Sequence, residues 1–143
     1  MQAALDEAHL AAAAGEVPIG AVVVANGEIV ARGQNRVLRD VDPTAHAEMV
    51  AMRLAAYAIG NYRLPDCELY VTLEPCAMCA GAMVHARLAR LVYGASDPKA
   101  GAVHSVIEVL NHPKLNHQMP VTAGVLAEPC GTILREFFRA RRD

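Results

Sequence analysis

Three short pieces of this 143-residue chain carry residue types that could do chemistry together: His46-Ala47-Glu48, Glu74-Pro75-Cys76, and Cys79 three residues after Cys76. Cys76-Ala77-Met78-Cys79 is a Cys-x-x-Cys placed at the start of a helix. There the unpaired backbone N–H groups carry partial positive charge and favour thiolates, and thiolate is the form that binds zinc. His46 is placed in the first turn of a second helix, so two helix N-termini could converge on one ion. One His and two Cys make three ligands, one fewer than zinc prefers. The remaining place is open to water, as in catalytic rather than structural sites. Glu48 lies ~200° round a regular helix axis from His46. That makes it a poor ligand beside His46 but leaves it able to stand beside the water and move protons. Zinc lowers the pKa of such a water to ~7.

A lone Cys-x-x-Cys is a weak signal, and two blander readings compete with this one. A thioredoxin-like redox pair would need neither His46 nor Glu48. A structural zinc site would need a fourth protein ligand, and Cys67 and Cys130 lack paired spacing. Glu128-Pro129-Cys130 repeats the Glu-Pro-Cys tripeptide without a second Cys or a nearby His, so Cys130 reads as helix packing and Cys67 as a small buried hydrophobe. Taken together, His-x-Glu upstream of Pro-Cys-x-x-Cys matches the known signature of zinc nucleobase deaminases.

The elements that must hold these residues read as one domain spanning 1–143, with a single core. Gln2 to Ala14 is a helix stopped by Gly15. Val17 to Ala25 and Glu28 to Gly33 are strands joined by Asn26-Gly27, a strong hairpin signal. Gln34 to Asp42 is a loop. Pro43-Thr44 opens a helix with Thr44 as N-cap, running to Ile59 and ended by Gly60-Asn61. Glu68 to Leu73 is a strand, and Pro75 is the first residue of a helix to His85. Leu91 to Tyr93 is a strand closed by Gly94, Ser105 to Leu110 a short helix, and Val121 to Leu126 a short strand. Pro129 starts a last helix to Arg142. Alternating strands and helices after the hairpin imply a mixed sheet with helices on its faces.

The net charge of −2 argues against coating nucleic acid by electrostatics alone, so any RNA contact must be local. Arg135, Arg139, Arg141 and Arg142 form a basic stretch that suits either a solvated helix face or phosphate contact. No apolar run reaches the ~20 residues of a membrane span. Asp6, Glu7 and His9 stand where an export signal would be basic and apolar, so a cytoplasmic location is expected.

The chain resembles the bacterial tRNA adenosine deaminase family along most of its length. The resemblance runs through Val17-Pro18-Ile19-Gly20-Ala21, Gln34-Asn35-Arg36, Asp42 to Glu48, Asn61-Tyr62-Arg63-Leu64, Tyr70 to Cys76 and Met78 to Met83. It continues in Asp97-Pro98-Lys99-Ala100-Gly101, Asn111-His112-Pro113, Leu115-Asn116-His117 and Phe137-Phe138-Arg139. The metal signature marks the broad cytidine deaminase-like superfamily, and the later segments narrow it to the tRNA branch. The resemblance implies a three-layer α/β/α sandwich with a mixed five-stranded sheet, and a homodimer. It implies one Zn2+ per chain held by His46, Cys76 and Cys79, with Glu48 as proton shuttle. The reaction implied is hydrolytic deamination of adenosine to inosine at the wobble position of a tRNA anticodon loop, by a zinc-bound hydroxide. The resemblance further implies that Asn35 reads the base edge, that the Ala47 N–H supports the pocket, and that Asp97, Asn116 and Phe138 lie near the flanking nucleotides. Against the family pattern the first helix reads as shortened, and a basic tail beyond Arg142 is absent, so RNA affinity is expected to depend on the remaining contacts. Deaminases of free bases or nucleotides share the metal signature, and a non-catalytic RNA-binding member or a zinc-stabilised structural module would share parts of it.

Overall fold

A computed structural model describes residues 1–142. The first helix, α1 (Gln2–Ala13), buries Ala4, Leu5, Ala8 and Ala11, whose spacing makes one helical face. Gly15, at φ 83°, turns the chain, as the sequence predicts. The first strand, β1 (Gly20–Ala25), begins three residues later than predicted from Val17. Pro18 has no N–H to give a ladder, and the Ile19 N–H turns back 2.8 Å to the Val17 carbonyl. The hairpin to β2 (Glu28–Gln34) is as predicted. Asn26 and Gly27 take φ of 53° and 77°, the pair of left-handed residues that a two-residue turn between twisted strands requires.

Next, α2 (Ala47–Ile59) starts later than Thr44. The Thr44 N–H and hydroxyl both donate to Asp42 Oδ1 at 2.8 Å, which folds Thr44 into a turn instead of a cap. His46 takes the N-cap, and Gly60 ends the helix at φ 79° as predicted. After β3 (Cys67–Leu73) comes α3 (Ala77–Ala86), whose N-cap is Cys76, so Pro75 precedes the helix rather than opening it. The strand β4 (Arg90–Ala95) runs through Gly94 instead of closing there. A Cβ on Gly94 would fall 2.6 Å from Cys130 Sγ, so the glycine serves close packing and not chain reversal.

The helix predicted from Ser105 to Leu110 does not form. The backbone donors here are committed elsewhere: the Ser105 N–H to the Glu74 carboxylate, the Val106 N–H to the Gly101 carbonyl, and the Val109 N–H to Ala102. The strand predicted from Val121 to Leu126 shrinks to β5 (Val121–Thr122), because Gly124 and Leu126 are left-handed at φ 81° and 55°. The last helix, α4 (Ala127–Arg142), begins before Pro129, which sits in the first turn where its missing N–H costs nothing.

The sheet order is β2-β1-β3-β4-β5, with β1 antiparallel to both neighbours and β3, β4 and β5 parallel. α1 and α4 pack together on one face through Leu5, Ala8, Cys130 and Ile133. On the other face Ala51, Met52 and Ala55 of α2 and Cys79, Ala80 and Met83 of α3 join Ala21, Val23, Leu69 and Val71 of the strands. The result is the three-layer α/β/α sandwich expected. Gly33 of β2 sets how closely α2 sits, since a Cβ there would lie 2.5 Å from the Ala47 carbonyl. Cys67 and Cys130 are buried packing residues, and burial pushes both thiols up.

Candidate active site

The carboxyl ends of β2, β3 and β4 lie at one end of the sheet, the usual place for a ligand site in an α/β fold. From β2 the chain loops to His46 at the head of α2, from β3 it passes through Glu74-Pro75 to Cys76 at the head of α3, and from β4 it enters the Asp97 loop. His46 and Cys76 both have extended N-cap backbone, at ψ 154° and 177°, so their side chains swing toward each other while the two helix starts point at the same spot.

The structure brings His46, Cys76 and Cys79 together. His46 Nδ1 lies 3.6 Å from Cys76 Sγ and 3.5 Å from Cys79 Sγ. Zn–S bonds of ~2.3 Å and Zn–N bonds of ~2.0–2.1 Å at tetrahedral angles imply an S···N edge of about 3.6 Å, so both His–Cys edges match the spacing of a zinc site. It fits a catalytic ion, since this is the group of donors close enough to share a metal among the described residues. Hydrogen bonds from Cys79 and His46 hold the Cys76 thiol down at about 3, the Cys76 bond raises His46, and Cys79 is pushed up by Cys76 and by burial. A divalent cation binds cysteine as thiolate and histidine as neutral imidazole, so loading the site would release protons from these donors.

Glu48 is the second residue of α2 and is buried. Burial pushes its carboxyl up to about 7, and it feels the charges of Cys76 and His46 and a side-chain bond with Cys79. A carboxyl at that value can both take and give a proton near neutrality. Ala47, the first residue of α2, has an N–H with no intrahelical acceptor. Asn35 is a buried residue, 6% exposed; its side-chain amide donates to the Val17 carbonyl at 3.4 Å and its oxygen accepts the Val37 N–H at 3.3 Å. An amide has two donors and two acceptor lone pairs, so one of each remains for a ligand.

Asp97 sits at the mouth of the β4 loop. Its Oδ1 accepts the N–H groups of Lys99 and Ala100 at 3.0 and 3.2 Å, the turn expected before Pro98, and Oδ2 stays free. Asp97 and Phe138 line one groove of about 940 Å³ between this loop and α4, together with Lys99, Arg139 and Arg142. Phe137 packs inward under Arg141, while Phe138 is 45% exposed and stands edge-on to it. Arg135 pairs with Glu128 at 3.6 Å. Asn116 is placed elsewhere: its oxygens accept from Arg87, the residue just past the far end of α3 from Cys76.

Two buried carboxylates, Glu74 and Glu16, escaped sequence reasoning. Glu74 accepts the N–H groups of Asp97, Val103, His104 and Ser105 and the Ser105 hydroxyl, and so ties the whole loop after β4 to the Cys76 segment. Burial alone would raise its pKa, but the bonds from His104, Ser105 and Asp97 outweigh it and hold the carboxyl at about 2. The only hint was its place in Glu-Pro-Cys. Glu16 binds the loop between β2 and α2, and nothing in its sequence neighbourhood marks it.

The chain belongs to the MafB19-like deaminase family, whose pattern matches residues 1–142. The resemblance to bacterial tRNA adenosine deaminases is borne out by its relatives. The chain is 51% identical to the tRNA-specific adenosine deaminase of Haemophilus influenzae, over all of this chain and 83% of that enzyme. A solved structure from work on A-to-I editing by tRNA:A34 deaminases at the wobble position of transfer RNA superposes with a TM-score of 0.91 and 48% identity, covering 94% of this chain and 97% of that one. The guanine deaminase of Nitrosomonas europaea shares the fold at a TM-score of 0.81 but only 28% identity, over 94% of this chain and 80% of that one.

Proposed function

We propose that the protein hydrolyses adenosine to inosine at the wobble position of a tRNA anticodon, releasing ammonia. The observation that carries this reading is the His46–Cys76–Cys79 triangle with buried Glu48 beside it, in a chain that shares about half its residues with tRNA-specific adenosine deaminases. His46, Cys76 and Cys79 would hold one zinc, whose Lewis acidity would bring a water in its fourth position within reach of ionisation at neutral pH. Glu48 accepts one proton of the water that adds to C6 of adenine and delivers it to N1. It then takes the proton of the new C6 hydroxyl and passes it to the amino group, which leaves as ammonia while the C6–N bond breaks and the C6 carbonyl forms. Adenosine and water thus give inosine and ammonia with no other reactant. Asn35 uses its spare donor and acceptor on the purine edge, and the Ala47 N–H supports the pocket. Asp97 accepts from a ribose 2′-hydroxyl, and Phe138 stacks on a flanking base.

Lys99, Arg139 and Arg142 give the groove a local basic wall for phosphates in a chain of net charge −2. An anticodon loop already exposes its bases, so little unstacking is needed to fill the pocket. The working form is a homodimer. Exposed Leu54, Tyr57, Ile59 and Tyr62 around the end of α2 offer the apolar surface for it, and sedimentation at micromolar concentration as a monomer would remove that part. No helix among the described residues is long and apolar enough to cross a membrane, and a cytoplasmic site of action follows from the substrate. The test is turnover on an anticodon stem-loop against free adenine, guanine and cytidine. Inosine formation on the stem-loop with little on free bases is expected, and the reverse order would reassign the enzyme to free-base metabolism.

A further inference from the structure

Glu16 is a carboxylate with no exposed side-chain surface, and the reaction does not use it. It stands at the end of the turn after α1 and accepts three hydrogen bonds: Leu38 N–H at 3.1 Å, Arg39 N–H at 2.9 Å and Arg39 Nε–H at 3.1 Å. Arg39 then carries the contact onward, since its Nη2 donates to the Asn35 carbonyl at 2.7 Å and to Gln34 Oε1 at 2.9 Å. The Asn35 side chain meets the same segment from the other side, its amide on the carbonyl of Val17, the residue after Glu16. The loop from 36 to 42 has no ladder to stiffen it, and Val41 within it is left-handed at φ 47°. An apolar side chain could anchor such a loop by packing, with less desolvation than a buried charge. What a carboxylate adds is direction: it fixes two backbone N–H groups and a planar guanidinium at once.

We propose that Glu16, acting through Arg39, is a positioning residue that sets the orientation of Asn35 toward the purine. The proposal rests on Asn35 as the base-reading residue. A carboxylate exchanged for an amide presents an NH2 where Leu38 and Arg39 already offer N–H groups, so Glu16→Gln breaks at least one of these bonds at nearly constant volume. Arg39→Met removes the relay while Glu16 keeps its backbone partners; the Arg39 side chain is 28% exposed, so this variant tests the idea even if Glu16→Gln fails to fold.

The experiment is a double-mutant cycle on an anticodon stem-loop, with zinc content measured for each protein. Glu16→Gln and Arg39→Met are each expected to lower kcat/KM about ten-fold or more, as loss of a hydrogen bond to a charged group does, with zinc content unchanged. In the Asn35→Ala background the same changes are expected to cost less than two-fold further. If Asn35→Ala lowers activity but the Glu16 or Arg39 effect multiplies in full on top of it, the positioning role is wrong and the base-reading role stands. If Asn35→Ala leaves kcat/KM unchanged, the base-reading role falls and takes the proposal with it. If Arg39→Met behaves as wild type, the relay is overturned.

Discussion

At the scale of single residues, the donors placed to hold a metal are distinct from the carboxyl placed to move a proton. Glu48 is buried beside the donor triangle but is not one of its members. Glu48→Ala is therefore expected to keep one zinc per chain and a cooperative unfolding transition while losing ~10²–10⁴-fold in kcat, the usual contribution of a general acid–base group. Metal analysis beside single-turnover kinetics checks this, and a near-normal rate would remove the shuttle role. Asp97 gives a second prediction. Both N–H bonds of its turn fall on Oδ1, so Asn at this position can keep the turn while Oδ2 becomes an NH2. Deoxyribose offers Oδ2 no partner, and leaving that charge poorly solvated costs ~1–3 kcal/mol, enough for a ten-fold preference. Asp97→Asn should thus raise deamination of a DNA stem-loop relative to its RNA counterpart. Measured kcat/KM values with an unchanged RNA-to-DNA ratio would reduce Asp97 to a turn residue.

At the scale of elements, local signals were legible and distant ones were not. Asn26-Gly27 and Gly60 spelled out their turns because the required backbone is a property of those residues alone. Thr44 looked like a cap, yet Asp42 two residues earlier captured its hydroxyl, and the cap passed to His46. The segment from Ser105 onward reads as helical, yet Glu74, some thirty residues before it, takes the Ser105 N–H, and the carbonyls of Gly101 and Ala102 take those of Val106 and Val109. The metal triad could be read because its ligand types and spacings are local to two helix starts. The roles of Glu16 and Glu74 could not, since each is defined by a loop far along the chain.

Glu74 carries an acid-stability prediction. Its folded pKa, about 2, is depressed from the ordinary 4.5, so its contribution is fully present above about 4.5 and is lost as pH falls toward 2. The shift corresponds to on the order of 3 kcal/mol. Glu16, lowered by its Leu38 and Arg39 bonds against the burial that would raise it, acts in the same direction. Urea midpoints should therefore fall between pH 5 and pH 3, and fall less in Glu74→Gln, whose stability at pH 7 starts lower. Parallel pH profiles for the two proteins would show that Glu74 is not a principal source of the slope.

At the scale of the whole molecule, His46, Cys76 and Cys79 meet at two helix starts with buried Glu48 on the first turn of one of them, and a groove with a basic wall and an exposed aromatic lies between the Asp97 loop and α4. The most direct measurement is incubation of the zinc-loaded protein with total tRNA, followed by sequencing for adenosine read as guanosine. Conversion is expected only at the wobble adenosine of an anticodon, slowed ~10²–10⁴-fold with Glu48→Ala and absent with Cys79→Ala, which should also lose its zinc. Unconverted wobble adenosine under conditions where the same protein deaminates a free base would contradict it, as would full zinc occupancy in Cys79→Ala.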